Sequence, residues 1–178
     1  MIAAENDTDG LQLDLDLAGE LGRRVARGQA LRSSAMTVPP TTRQTLDRLL
    51  AEEDANNTRW LKQLLRERGW PGRSLVGDAG AHAGWLLAQH ADADPAFQEA
   101  CLEQIAVAVA AGEAASADLA YLDDRVRVAR GGPQRYGTQC ERNEDGQWRP
   151  LPLDEPDDVD QLRSEAGLEP LATYLARM

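Results

Sequence analysis

The sequence is poor in aromatics, cysteine and lysine, and it has no long apolar run. Phe, Trp and Tyr together make up 4% of the 178 residues, and four of those eight are tryptophan. A core without aromatic bulk must be built from Leu, Ala and Val. Two scattered cysteines, Cys101 and Cys140, make no disulfide framework, so reduced thiols in the cytoplasm are expected. No stretch approaches the ~18–20 apolar residues of a membrane span. MIAAENDTDG lacks the basic and apolar regions of a signal peptide, so no membrane association is expected. Lysine occurs once, at Lys62, and the other 18 basic residues are arginine, a bias that suggests a GC-rich genome. The net charge of -11 repels phosphate backbones and argues against a nucleic-acid partner.

Signature motifs are missing too. There is no GxGxxG, no P-loop lysine, no GxSxG elbow, and no HExxH or CxxC spacing. An enzyme here is expected to work without a metal or nucleotide cofactor.

What is present is helical periodicity. At 178 residues, with 42% hydrophobic and 28% charged, one soluble domain is the expectation. Residues 1–16 read as a flexible acidic segment, and 17–178 as a single domain. LQLDLDL (11–17) alternates like a strand, then Leu17, Leu21 and Val25 predict a helix over about 16–31. SSAMTVPP (33–40) reads as a loop. Residues 41–69 carry an apolar stripe, with Asn56-Asn57 either breaking it or lying within one long helix. Asp78 is a candidate N-cap for a helix over about 79–91. Asp94-Pro95 starts the next, to about Ala111. Ser116 is a candidate cap for about 117–129. QRYGTQCERNEDGQWRPLPL (134–153) reads as a β-hairpin. Two short helices, about 157–166 and 169–177, flank Gly167. The fold class is therefore mainly α: a single-domain bundle of about six helices with one small β-hairpin in the C-terminal third.

Both histidines, His82 and His90, fall in the helix over 79–91. At about 100° per residue, His82, Trp85, Leu86, Gln89 and His90 share one face. No charged residue lies between Ala79 and Ala91, so this helix is expected to be buried on most sides. A buried amide or imidazole needs polar partners from elsewhere in the fold. The two histidines lie about 12 Å apart along the axis, too far to share one ion. Asp94 has a simpler role as a cap.

Several stretches together resemble an uncharacterised bacterial family, the domain of unknown function 6624. They are Gly69-Trp70-Pro71 with Val76-Gly77, then Gln89-His90, then Ala120 through Val126 (AYLDDRV) and Gln134 through Gln139 (QRYGTQ). Gly167, Leu168, Pro170 and Leu171 close the match, which covers roughly residues 17–175. The resemblance implies no activity. It does imply that Gln89, His90, Asp124, Arg125, Tyr136 and Gln139 belong together. One departure is visible: Gly28 stands before Gln29, where the resemblance leads one to expect an acidic residue.

His90 is the natural general acid or base in that set. Asp124 is a candidate to orient it and Tyr136 to donate a proton, which makes His90, Asp124 and Tyr136 the candidate catalytic residues. Gln89, Arg125, Gln134 and Gln139 are candidate substrate-binding residues, Arg125 for a carboxylate or phosphate. Tyr136 and Gln139 face opposite ways on a regular strand, so serving one site requires a bend, cheapest at Gly137. The expected function is acid–base chemistry (hydrolysis, isomerisation, elimination or cyclisation) on a small molecule or peptide, in bacterial specialised metabolism. The alternative is a non-catalytic binding module, an immunity or regulatory protein, in which the same residues form a structural hydrogen-bond network.

Overall fold

A computed structural model describes residues 12–178. The expected flexible segment at 1–16 therefore lies outside the described residues up to Leu11. Among the described residues there are seven helices and one two-stranded hairpin. They are α1 (Leu15–Thr37), α2 (Pro40–Arg68), α3 (Arg73–Gln89), α4 (Pro95–Ala110), α5 (Ser116–Ala129), β1 (Cys140–Arg142), β2 (Trp148–Pro150), α6 (Val159–Glu165) and α7 (Leu171–Arg177). None of these helices is long and apolar enough to cross a membrane.

Why α3 carries no charge from Ala79 onward is now plain: it is the central helix, packed against α1, α2, α4 and α5. Small residues let its neighbours come close. A Cβ on Gly84 would lie 2.7 Å from the Pro71 ring. Leu21 of α1, Leu61 of α2, Cys101 and Ile105 of α4 and Leu122 of α5 meet around it, all fully buried.

α1 is longer than its periodicity suggests at both ends. Asp14 caps it, accepting from the Leu17 amide at 2.9 Å, so the strand-like alternation gives way to helix at Leu15. That alternation buries little: Leu13 and Leu15 stay exposed. The stretch read as a loop at 33–40 is helical as far as Thr37. Ser34 and Thr37 turn their hydroxyls back onto the carbonyls of Ala30 and Ser34, a bond compatible with helix.

α2 runs unbroken through Asn56-Asn57. Asn57 is buried, and its side-chain oxygen accepts from Arg24 of α1 at 3.1 Å. A partner on the neighbouring helix replaces the capping role. Within α3, Gly77 (φ 73°) kinks the first turn away from the rest. Asp78 is not the cap expected of it: its carboxylate pairs with Arg73 at 2.6 Å. Asp94 does cap α4, accepting from the Phe97 amide. Ser116 is the first residue of α5 and makes no capping bond.

The hairpin is shorter than expected. β1 and β2 pair antiparallel over three residues each, with Glu141 opposite Arg149. Residues 135–139 form a loop, not a strand, with Gly137 at φ 68°. The bend required at Gly137 is present. Buried Arg163 of α6 fastens this loop, donating at 2.6 Å to the carbonyls of Glu169 and Tyr136, with Tyr174 of α7 under its guanidinium.

Candidate functional site

The six polar residues grouped by sequence fall into two connected clusters. The first is built on Asp124, in the middle of α5 and fully buried. Its carboxylate accepts from the backbone amides of Arg135 (2.7 Å), Tyr136 (3.0 Å) and Thr138 (2.9 Å) and from the Thr138 hydroxyl (2.9 Å). A loop has wrapped its N–H groups around a buried charge. Gln134, equally buried, closes the base of the hairpin. Its amide nitrogen donates to the carbonyls of Gln139 and Leu151, and its oxygen accepts from the Gln139 amide.

These positions were expected to act on His90 or on a substrate, and the geometry gives them another task. Asp124 spends both oxygens on the loop, and no hydrogen bond among the described residues joins it to His90. Gln134 has both ends of its amide engaged within the hairpin. Tyr136 contributes its backbone to the Asp124 cage. Its ring lies beneath Arg135, and burial raises the pKa of its phenol.

The second cluster surrounds His90, which caps the C-terminus of α3. Buried Gln98 of α4 donates to the last α3 carbonyls, Ala88 and Gln89, and to the Asp92 carboxylate. Arg125 grips Asp92 with two bonds (2.7 and 2.5 Å) and reaches Gln139 at 3.2 Å. Gln139 in turn donates to the Thr138 hydroxyl. One continuous path thus joins Asp92, Arg125, Gln139, Thr138 and Asp124. Burial works against the charge on Asp92, but Arg125, with help from Gln98, holds its carboxyl below the usual value.

On the opposite side, α1 and α2 bring residues that sequence reasoning did not select. Arg32 donates to both oxygens of Asp54 at 2.8 Å. Burial raises the Asp54 pKa despite that pair. Arg24, Gly28, Arg32, Asp54, Asn57 and His90 line a small cavity of about 10 Å³, the size of about one water molecule. A wider cavity of about 620 Å³, bordered by Trp70, Leu75 and Val107, touches none of the predicted site residues. The small cavity that His90 lines is bordered by residues of α1 and α2 and by no residue of the hairpin. The sequence signals were a glycine in mid-helix at 28 and a polar Asn57 among leucines.

His90 itself is half-buried. Burial first, then the charges of Arg32 and Arg125, push its pKa down to about 4, against the opposing charge of Asp92. The imidazole is therefore neutral at pH 7. Gln89 beside it is buried, and its side-chain oxygen has no hydrogen-bond partner among the described residues. His82 stands apart. It is exposed, bonds Asp118 of α5 at 3.0 Å and stacks on Trp85.

The sequence profile described as "Family of unknown function (DUF6624)" matches residues 15–178, and the chain belongs to that family. No curated protein matches the chain, and neither does any solved structure.

Proposed function

We propose that this member of a family of unknown function is a small acid–base enzyme whose base is His90. The observation that carries the reading is the state of the imidazole. It is neutral, partly open to solvent, and free of hydrogen bonds to the described residues, between the Arg32–Asp54 and Arg125–Asp92 pairs. A neutral ring has one bare nitrogen that can accept a proton, and the burial and arginine charges that lower its pKa make it a weak base suited to an acidic substrate proton. The two guanidinium groups favour a substrate that becomes negatively charged as the proton leaves. The reaction classes this serves are hydrolysis, isomerisation, elimination and cyclisation on a small molecule or peptide. In this reading Arg125, Gln139 and Gln89 border the substrate, whereas Asp124, Gln134 and Tyr136 hold the loop that carries Gln139.

The test is a turnover screen of the purified chain on ester, amide and lactone panels, with His90→Ala beside it. The expected result is activity in the parent and its loss in the variant at unchanged far-UV circular dichroism. Equal turnover in both removes the reading.

A second reading has its own observation in favour. The Asp124 cage is closed and fully satisfied, as in a structural network, and the cavity at His90 is small. A binding module predicts no turnover on any panel and a changed melting temperature in His90→Ala.

A further inference from the structure

We propose that Gly28 is a positioning residue for His90: its missing side chain seats the Arg32 guanidinium beside the imidazole. The inference rests on the His90 reading above. Glycine is unfavourable in a helix interior, yet Gly28 lies buried in the middle of α1. A Cβ placed there would stand 2.8 Å from Nη1 of Arg32. Gly22, on the same helix, would meet nothing within 4 Å. The two glycines thus share one backbone setting and differ in what lies over them.

Arg32 is one turn beyond Gly28, and helical side chains lean back toward the N-terminus. Its guanidinium folds over the bare α-carbon while Nη2 holds Asp54. Gly28, Arg32 and His90 all line the same cavity. Arg32 is also the strongest charged influence on the imidazole, ahead of Arg125 and the opposing Asp92. Asp54 and Arg24 complete the charged lining. A methyl group at position 28 has only one cheap accommodation, which is to lift the flexible end of Arg32 away. The fold survives that change; the placement of the charge does not.

The test is an NMR titration of the His90 ring in the full chain, comparing the parent, Gly28→Ala, Gly22→Ala and Arg32→Gln. Gly22→Ala is expected to leave the His90 pKa unchanged. Gly28→Ala and Arg32→Gln are expected to raise it by about 0.5 or more. Gly28→Ala should melt no lower than the parent. In the double variant Gly28→Ala/Arg32→Gln the alanine should add nothing further. A parent-like His90 pKa in Gly28→Ala overturns the inference, as does an unchanged value in Arg32→Gln. If Gly28→Ala fails to fold, folding of the double variant supports the same clash, and its failure overturns it. Catalysis is read separately: a shifted titration in a protein without turnover keeps the positioning role and removes the enzyme reading.

Discussion

Replacing Asp124 by alanine should unfold the C-terminal third before it affects anything at His90. The carboxylate is fully buried and accepts three backbone amides and one hydroxyl, all between 2.7 and 3.0 Å. Removing it leaves the N–H groups of Arg135, Tyr136 and Thr138 without their acceptor. Each buried, unpaired donor costs roughly 1–3 kcal/mol, and water entering the space left behind recovers part of that. A net loss of about 3–5 kcal/mol follows, a large share of the ~5–15 kcal/mol typical of a domain. Asp124→Asn keeps one accepting oxygen but turns an NH₂ toward amide donors, so about 2 kcal/mol is expected. Urea unfolding followed by tryptophan fluorescence measures both, and hydrogen exchange at 135, 136 and 138 localises the effect. A loss below about 1 kcal/mol with those amides still protected would refute the cage as the source of order. If Asp124 acted instead by orienting His90, the stability would hold while the His90 titration moved.

His90 makes folding pH-dependent in a defined window. Its folded pKa, about 4, lies below the unfolded value of about 6.5, so between them the unfolded chain binds more protons. Stability should therefore be complete above pH ~6.5 and fall as pH drops toward 4, by at most ~3 kcal/mol before solvent screening. His90→Ala should flatten that slope, and an equal slope in both proteins would contradict the assignment. Gly84→Ala should cost about 1–3 kcal/mol, because the new methyl meets the stiff Pro71 ring at 2.7 Å; a higher melting temperature would show that α3 and Pro71 can separate freely. Cys101 is fully buried with its thiol pushed up to about 12, so native protein should resist iodoacetamide there while half-buried Cys140 labels faster. Mass spectrometry reads the order, and prior labelling of Cys101 would overturn it.

Much of the helical layout is legible in the chain because it is local. Asp94-Pro95 starts α4 through its own cap, and Gly137 takes a positive φ that glycine adopts without strain. Asn57 and Asp78 are misleading for the complementary reason. Each is a good capping residue, yet each spends its side chain on an arginine: Arg24 on another helix for Asn57, and Arg73 one turn back for Asp78. Asp124 is spent in the same way. A buried aspartate near a histidine suggests a catalytic pair, but three amides ten or more residues downstream claim it first. Arg32 and Asp54 were out of reach of motif reasoning, since surface-like charges on long helices carry no local mark of burial.

By itself the sequence determined that this is a mainly helical chain with a helical stretch free of charged residues from Ala79 to Ala91, and that Gln89-His90 ends that helix. Those facts depend on periodicity, capping and composition, which act over a few residues. Only the tertiary structure decided what surrounds the imidazole. Burial and the charges of Arg32 and Arg125 converge there from three separate segments, and both desolvation and Coulomb energy depend on distances through space, not along the chain.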